Sequence, residues 1–251
     1  MASNVLRQRL GREVHVWVAD PREFSSAENE RCFKTYLSEG EQRTLRSFRF
    51  QHDRRTYLVA HGLLREILSI YGHYPPRDWS FTFTSNGKPA IANEVDRNSL
   101  RFNLSHTDGA IAVIVARTRE CGVDIERIRT NLHMDDLADS VFSLEELKYW
   151  KNLSISEQTI YFFETWTLKE AYLKGLGIGI EKGMNDISLE RARVSEMSLI
   201  ANRLTFDLPS NWHLNSFQLD SKHVLSTAVH AESSQAHQVV LVKLSQIFHR
   251  C

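Results

Sequence analysis

"FNLSHTDGAIAVIVARTRECGVDIER" occupies Phe102–Arg127, and its reading decides the fold. Three runs in and around it have strand texture: LRFNLSH, AIAVIVAR and CGVDIER. The breaks between them, TDG and TREC, are short enough for hairpins. In the last run Asp124 and Glu126 stand two apart, and on a strand residues i and i+2 share a side. Two ionised carboxylates about 4 Å apart repel by roughly 4 kcal/mol at an effective dielectric of about 20. The pair therefore calls for a proton, a cation or water. It is either a solvated strand end facing Arg127 or Arg129, or a hard-oxygen site for a divalent ion, Mg²⁺ first. No His or Cys stands beside it to favour zinc.

Working outward, EVHVWVAD alternates Val14, Val16 and Val18 as a strand does. Two helices follow, opening with Ser25-x-x-Glu28 and Ser38-x-x-Glu41, both of capping-box form. DRRTYLVAHGLLREILSIYG places Leu58, His61, Leu64, Arg65 and Leu68 at helical spacing and ends at Gly72. WSFTFT and a turn through SNGKP then lead into the three-strand stretch. Beyond it come helical patterns in SLEELKYW and SISEQTIYFFETWTLKEAYLKG. Strand-like runs follow in RLTFDL, HLNSFQL, VLSTAVHA and QVVLVKL. Helices and then antiparallel strands, twice, predict an α+β chain of two similar lobes. The arrangement is a pseudo-dimer, each lobe with helices packed on a mainly antiparallel sheet. The boundary falls at TREC, giving lobes 1–120 and 121–251.

With 251 residues, 42% of them hydrophobic, the chain has enough material for one large domain or two small ones. The 31 basic and 31 acidic side chains balance, which argues against a nucleic-acid partner. Arg43, Arg46, Arg49, Arg54 and Arg55 nonetheless crowd into one segment able to meet an anion. The three cysteines are widely spaced with no CxxC, against a disulfide framework or a zinc site. The N-terminal segment has no apolar core of a secretory signal, and the longest apolar run, AIAVIVA, is too short for a bilayer. A cytoplasmic protein without membrane contact is expected.

FFETWTLKEAYLKGLGIGI carries the second cluster. Trp166, Glu170 and Lys174 follow at i, i+4 and line one helix face. Glu170 and Lys174 are either an ordinary surface ion pair or, beside Trp166 and Phe163, a partly buried pair on a pocket wall. The glycines at 175, 177 and 179 follow a helix and are spaced GxGxG, so they are no dinucleotide fingerprint.

Taken together, Gly122-Val123-Asp124 and then Trp166, Thr167, Lys169, Glu170, Ala171 and Lys174 resemble the signature of the 4′-phosphopantetheinyl transferase superfamily. Cys121 stands where that signature begins with an aliphatic residue. NGKPAI resembles the family's GKP turn, and FNLSHTDGAIAV its FN(I/L)SH strand and the strand after it. The four motifs run in order from residue 87 to 174, and the flanking helices and chain length resemble the two-lobed, Sfp-like branch.

The resemblance implies a holo-[acyl-carrier-protein] synthase-type enzyme that moves the phosphopantetheine arm of coenzyme A to a serine of an apo acyl or peptidyl carrier protein. Adenosine 3′,5′-bisphosphate is released. It implies Mg²⁺ on Asp124, Glu126 and Glu170, with Lys174 on a phosphate oxygen and Glu170 or a metal-bound water as base. His106 and Ser105 would contact coenzyme A phosphate, Lys88 and Pro89 would line the adenine and ribose pocket, and Arg55 is the candidate for the 3′-phosphate. Lys169 turns about 100° away from Glu170 along the helix. The site would draw on both lobes of a monomer. The alternatives are a non-catalytic domain of the same fold that docks carrier proteins, and a Mg²⁺-dependent phosphohydrolase.

Overall fold

The longest apolar period of the first half becomes a helix because Leu58, Leu63, Leu64, Ile67 and Leu68 fall on one stripe that must leave water. A computed structural model describes residues 2–130, 132–179, 183–193, 196–204, 208–230 and 238–244. The chain divides into two units, one of residues 1–84, 89–118 and 237–251, the other of 85–88 and 119–236.

The first unit opens with α1 (Ala2–Arg9), β1 (Glu13–Ala19), α2 (Ala27–Tyr36), α3 (Glu39–Ser47) and α4 (Gln51–Tyr71). A short hairpin, β2 (Phe81–Phe83) with β3 (Pro89–Ile91), turns through Gly87 at φ 81°, where a residue without Cβ is at ease. Strands β4 (Leu100–Thr107) and β5 (Ala110–Arg117) pair antiparallel through the expected TDG turn, and β5 pairs with β1 on its other edge. The stripe of α4 packs into this unit's core with Trp17, Phe102 and Val113. Each fully buried aliphatic side chain there contributes roughly 1.5–3 kcal/mol.

The second unit contains β6 (Cys121–Arg127), α5 (Met134–Val141), α6 (Leu144–Lys151), α7 (Ile155–Leu176), β7 (Ile187–Arg193), β8 (Glu196–Asn202), β9 (Trp212–Gln218) and β10 (His223–His230). Its main sheet has the order β6-β10-β9, all antiparallel. Helices α6 and α7 begin with the capping boxes Ser143/Glu146 and Ser154/Glu157.

The structure departs from the expectations at three places. TREC is not a hairpin: both edges of β5 are taken by β1 and β4, so β6 pairs with β10 instead. Thr118 there adopts φ 58°, a strained value for a β-branched residue. QVVLVKL, expected in the second lobe, becomes β11 (Gln238–Lys243) and pairs parallel with β1, giving the sheet β11-β1-β5-β4. The lobe expected to run from 121 to 251 thus gives up its last strand to the first unit. The first capping residue is Ser26, whose hydroxyl accepts from the Asn29 N–H. Ser25 instead closes the preceding turn on the Arg22 carbonyl. The strand expected in RLTFDL falls on residues 205–207, which lie outside the described residues. Among the described residues no helix is long and apolar enough to cross a membrane.

Candidate active site

Gly122 sets the geometry of the second unit's site. A Cβ built on it would lie 1.9 Å from the Ala171 carbonyl oxygen and 2.5 Å from the Gly175 nitrogen. Helix α7 therefore lies backbone against backbone on β6, an approach only glycine permits. Asp124, two residues on, faces the same side. Its Oδ1 accepts from Lys174 Nζ at 2.5 Å, and the residue is 3% exposed. Ser226 stands opposite Asp124 on β10 and shares a hydrogen bond of 2.7 Å with the Thr167 hydroxyl of α7. Glu126, half-buried, stands opposite Val224.

Glu170 completes the acidic set. It is 2% exposed, and neither of its carboxylate oxygens finds a hydrogen-bond partner among the described residues. Burial pushes its carboxyl up to about 7, the Asp124 charge adds to the rise and Lys174 opposes it, with Glu126 raising it further. The three acids that the sequence placed on two elements thus feel one another's charge. They do not close into a ligand shell: among the described residues no three His, Cys, Asp or Glu side chains converge that way, and the Lys174 ammonium sits on Asp124. The donor chemistry still fits a hard divalent ion, since all three acids offer hard oxygens and both oxygens of the buried Glu170 lack a hydrogen-bond partner among the described residues.

Lys169, one residue before Glu170, does different work. It is 0% exposed, and its Nζ donates to the Val141 carbonyl at 2.7 Å and to Glu146 Oε2 at 2.5 Å. Glu146 also accepts from the backbone N–H groups of Ser143 and Leu189, each at 2.7 Å. Burial pushes the Lys169 ammonium down and Glu146 holds it up. This clamp ties α7 to α5, α6 and β7. The sequence reading set Lys169 apart from the acids but had no signal for its partner. Trp166 packs on Phe162 with ring centroids 5.9 Å apart, as part of the core wall.

The remaining candidates are placed as follows. Lys88 belongs to the second unit, where its Nζ donates to the Gly175 carbonyl at the end of α7 and to Glu120, both at 2.7 Å. Pro89 opens β3 opposite Phe83 in the first unit. Ser105 and His106 are neighbours on β4, an edge strand; Ser105 is buried and His106 exposed, and consecutive strand residues face opposite sides. Arg55 on α4 donates through Nε to Glu30 of α2 at 3.2 Å.

Family models and curated relatives match the chain. Residues 120–228 match a family model described as the 4′-phosphopantetheinyl transferase superfamily, and residues 17–119 match one described as 4′-phosphopantetheinyl transferase, N-terminal. The chain is 34% identical over 173 residues to the 4′-phosphopantetheinyl transferase HetI of a Nostoc species, covering 69% of this chain and 72% of that protein. It is 28% identical over 178 residues to the 4′-phosphopantetheinyl transferase Sfp of Bacillus subtilis, covering 71% and 76%. Among solved structures, a holo-(acyl-carrier-protein) synthase from Bacillus anthracis in complex with CoA (3′,5′-ADP) matches 45% of this chain and 96% of its own. Its TM-score is 0.38 and its identity 22%.

Proposed function

The chain belongs to the 4′-phosphopantetheinyl transferase superfamily, and from that premise we propose how its residues carry out the transfer. The 4′-phosphopantetheine arm of coenzyme A passes to a serine of an apo acyl or peptidyl carrier protein, and adenosine 3′,5′-bisphosphate leaves. The observation that carries the assignment is the buried Glu170 carboxylate, without hydrogen-bond partners among the described residues, held under the charges of Asp124 and Glu126 and beside Lys174.

The serine oxygen attacks the β-phosphorus and the phosphorus–oxygen bond to the nucleotide breaks. Such a step needs alignment and charge neutralisation more than a protein nucleophile. Asp124, Glu126 and Glu170 are the residues that would hold Mg²⁺, which when bound supplies neutralisation of the pyrophosphate oxygens. Lys174 offers a phosphate oxygen a point charge in place of Asp124. The serine proton passes to Glu170, the acid of the set raised toward neutrality, or to solvent. Ser105, His106, Lys88 and Pro89 are assigned to coenzyme A by the family resemblance. Arg55, tied to Glu30, is not assigned to that set. The protein acts as a cytoplasmic monomer in this reading, and a native mass of a dimer would remove that part.

A carrier-docking domain without activity would have no use for the two buried acids Asp124 and Glu170 beside Lys174. The direct test is incubation with coenzyme A, Mg²⁺ and several apo carrier proteins, followed by intact mass. A phosphopantetheine increment on the carrier serine is expected, lost when Mg²⁺ is chelated. No increment on any carrier would overturn the proposal.

A further inference from the structure

The first unit contains a cavity of about 330 Å³ between α2, the end of α3 and the start of α4. Lys34, Arg49, Arg54 and Arg55 line it, and the one acid on its wall is Glu30. That carboxylate is already engaged, with Arg55 Nε at 3.2 Å and Lys34 Nζ at 3.9 Å. Two of the arginines are anchored without being neutralised. Arg54 Nη2 donates to the Phe48 carbonyl at 2.9 Å, and the Arg49 guanidinium rests 5.4 Å from the Phe50 ring centroid. Leu45 and Leu58 supply an apolar floor.

Four cations around one carboxylate repel one another, and Glu30, the one ion-paired acid on the wall, does not balance them. The same wall holds the N-terminus of α4, whose N-cap, Phe50, offers no side-chain acceptor to the first-turn N–H groups. The positive end of a 21-residue helix adds to the field of the side chains, opposed by one first-turn acid, Asp53. The volume corresponds to roughly ten waters at about 30 Å³ each, ample for a diphosphate.

We propose that this cavity is a second anion site, which takes a small phosphate-class oxyanion independently of the phosphates handled by Asp124, Glu170 and Lys174. Guanidinium groups recognise such a ligand by paired N–H donors. Their exposure makes the affinity fall with ionic strength. The ligand's phosphate has two conceivable sources, a free inorganic or organic phosphate and the 3′-phosphate of coenzyme A. The proposal commits to the former.

The test titrates inorganic pyrophosphate into the full chain by calorimetry, with chelator present and coenzyme A saturating. Binding should persist in the wild type and weaken with salt. It should fall about tenfold or more in each of Lys34→Glu and Arg49→Glu, with coenzyme A affinity and transfer rate unchanged in both. Coenzyme A excluding pyrophosphate, or coenzyme A affinity falling in the same variants, would make the cavity part of the nucleotide site and overturn the proposal. Wild-type pyrophosphate affinity in both variants would overturn it equally. Absence of transfer in the wild type would sink the function proposed above without touching this result.

Discussion

Glu41, on α3 and facing α4 in the first unit, and Glu170, on α7 in the second, are both carboxylates withdrawn from water, and the protein treats them in opposite ways. Glu41 accepts from Arg65 Nη2 at 2.6 Å and lies 2.9 Å from His61 Nδ1, both on α4, while it closes the capping box of Ser38. Burial would raise its carboxyl, but the His61 hydrogen bond, the Arg65 charge and the Ser38 contacts together bring it down to about 2. Glu170 is brought up to about 7 and finds no hydrogen-bond donor among the described residues. The half-buried Glu41 is furnished with donors by its own unit. The other is left beside two more acids, and a fold does not keep such a group for stability. The same contrast recurs within α7, where Lys169 is fully engaged with Glu146 and its neighbour Glu170 is not.

The largest effect should come from the unsatisfied side. Asp124→Ala is expected to cut kcat/KM by roughly 10³-fold or more, about 4 kcal/mol of transition-state stabilisation. The circular dichroism spectrum should be unchanged, because Lys174, with its side chain 27% exposed, stays hydrated when its partner goes. Transfer at the wild-type rate would show that the acids are as structural as Glu41. On the satisfied side the expectation reverses. Lys169→Met leaves Glu146 charged and buried, which costs about 3–5 kcal/mol in chemical denaturation. Adding Glu146→Gln should restore part of that loss, since it removes the buried charge while the one amide oxygen still accepts from either Ser143 or Leu189, which donate to different oxygens of Glu146. If the double variant is no more stable than Lys169→Met, the clamp is not what holds α7.

These differences explain what was legible in the chain. The capping box at Ser38 is local, and so is the period of α4; each is read from a few consecutive residues, and the boxes found at Ser143 and Ser154 carry the same Ser-x-x-Glu spacing. Ser25 against Ser26 was not decidable because both are competent caps, and the choice falls to the turn at Pro21–Phe24. Pairing across the sequence was less legible. The partner of β5 had to be β1 or β6, and the open edge of β1 that captures β11 is a tertiary fact. In the site, Asp124, Glu126, Glu170 and Lys174 stood out because acids and a lysine at fixed spacing on apolar elements are costly. Glu146 did not, since it looks like any first-turn helix glutamate. The glycine inside the β6 pattern was a usable signal for close helix approach.

The smallest expected effect separates the two carboxylates by sign. Glu170 has a folded value near 7 against an ordinary value of 4.5, so the folded protein holds its proton more tightly than the unfolded chain. Its contribution is most favourable below pH 4.5, declines as pH rises from 4.5 through 7, and levels off above. The total decline is about 3 kcal/mol at 1.36 kcal/mol per pH unit. Glu41 has a folded value near 2, so its contribution is present above pH 4.5 and is lost as pH falls from 4.5 through 2, by a similar amount. In metal-free protein, Glu170→Gln should therefore raise the stability measured by urea denaturation at pH 8 by up to about 3 kcal/mol relative to wild type, with little change at pH 4. Glu41→Gln should lower stability at pH 8 and approach wild type at acid pH. Mg²⁺ should raise wild-type stability at pH 8 and lose that effect in Glu170→Gln. If Glu170→Gln is destabilising at pH 8, the carboxylate has partners in solution and the contrast between the two units collapses.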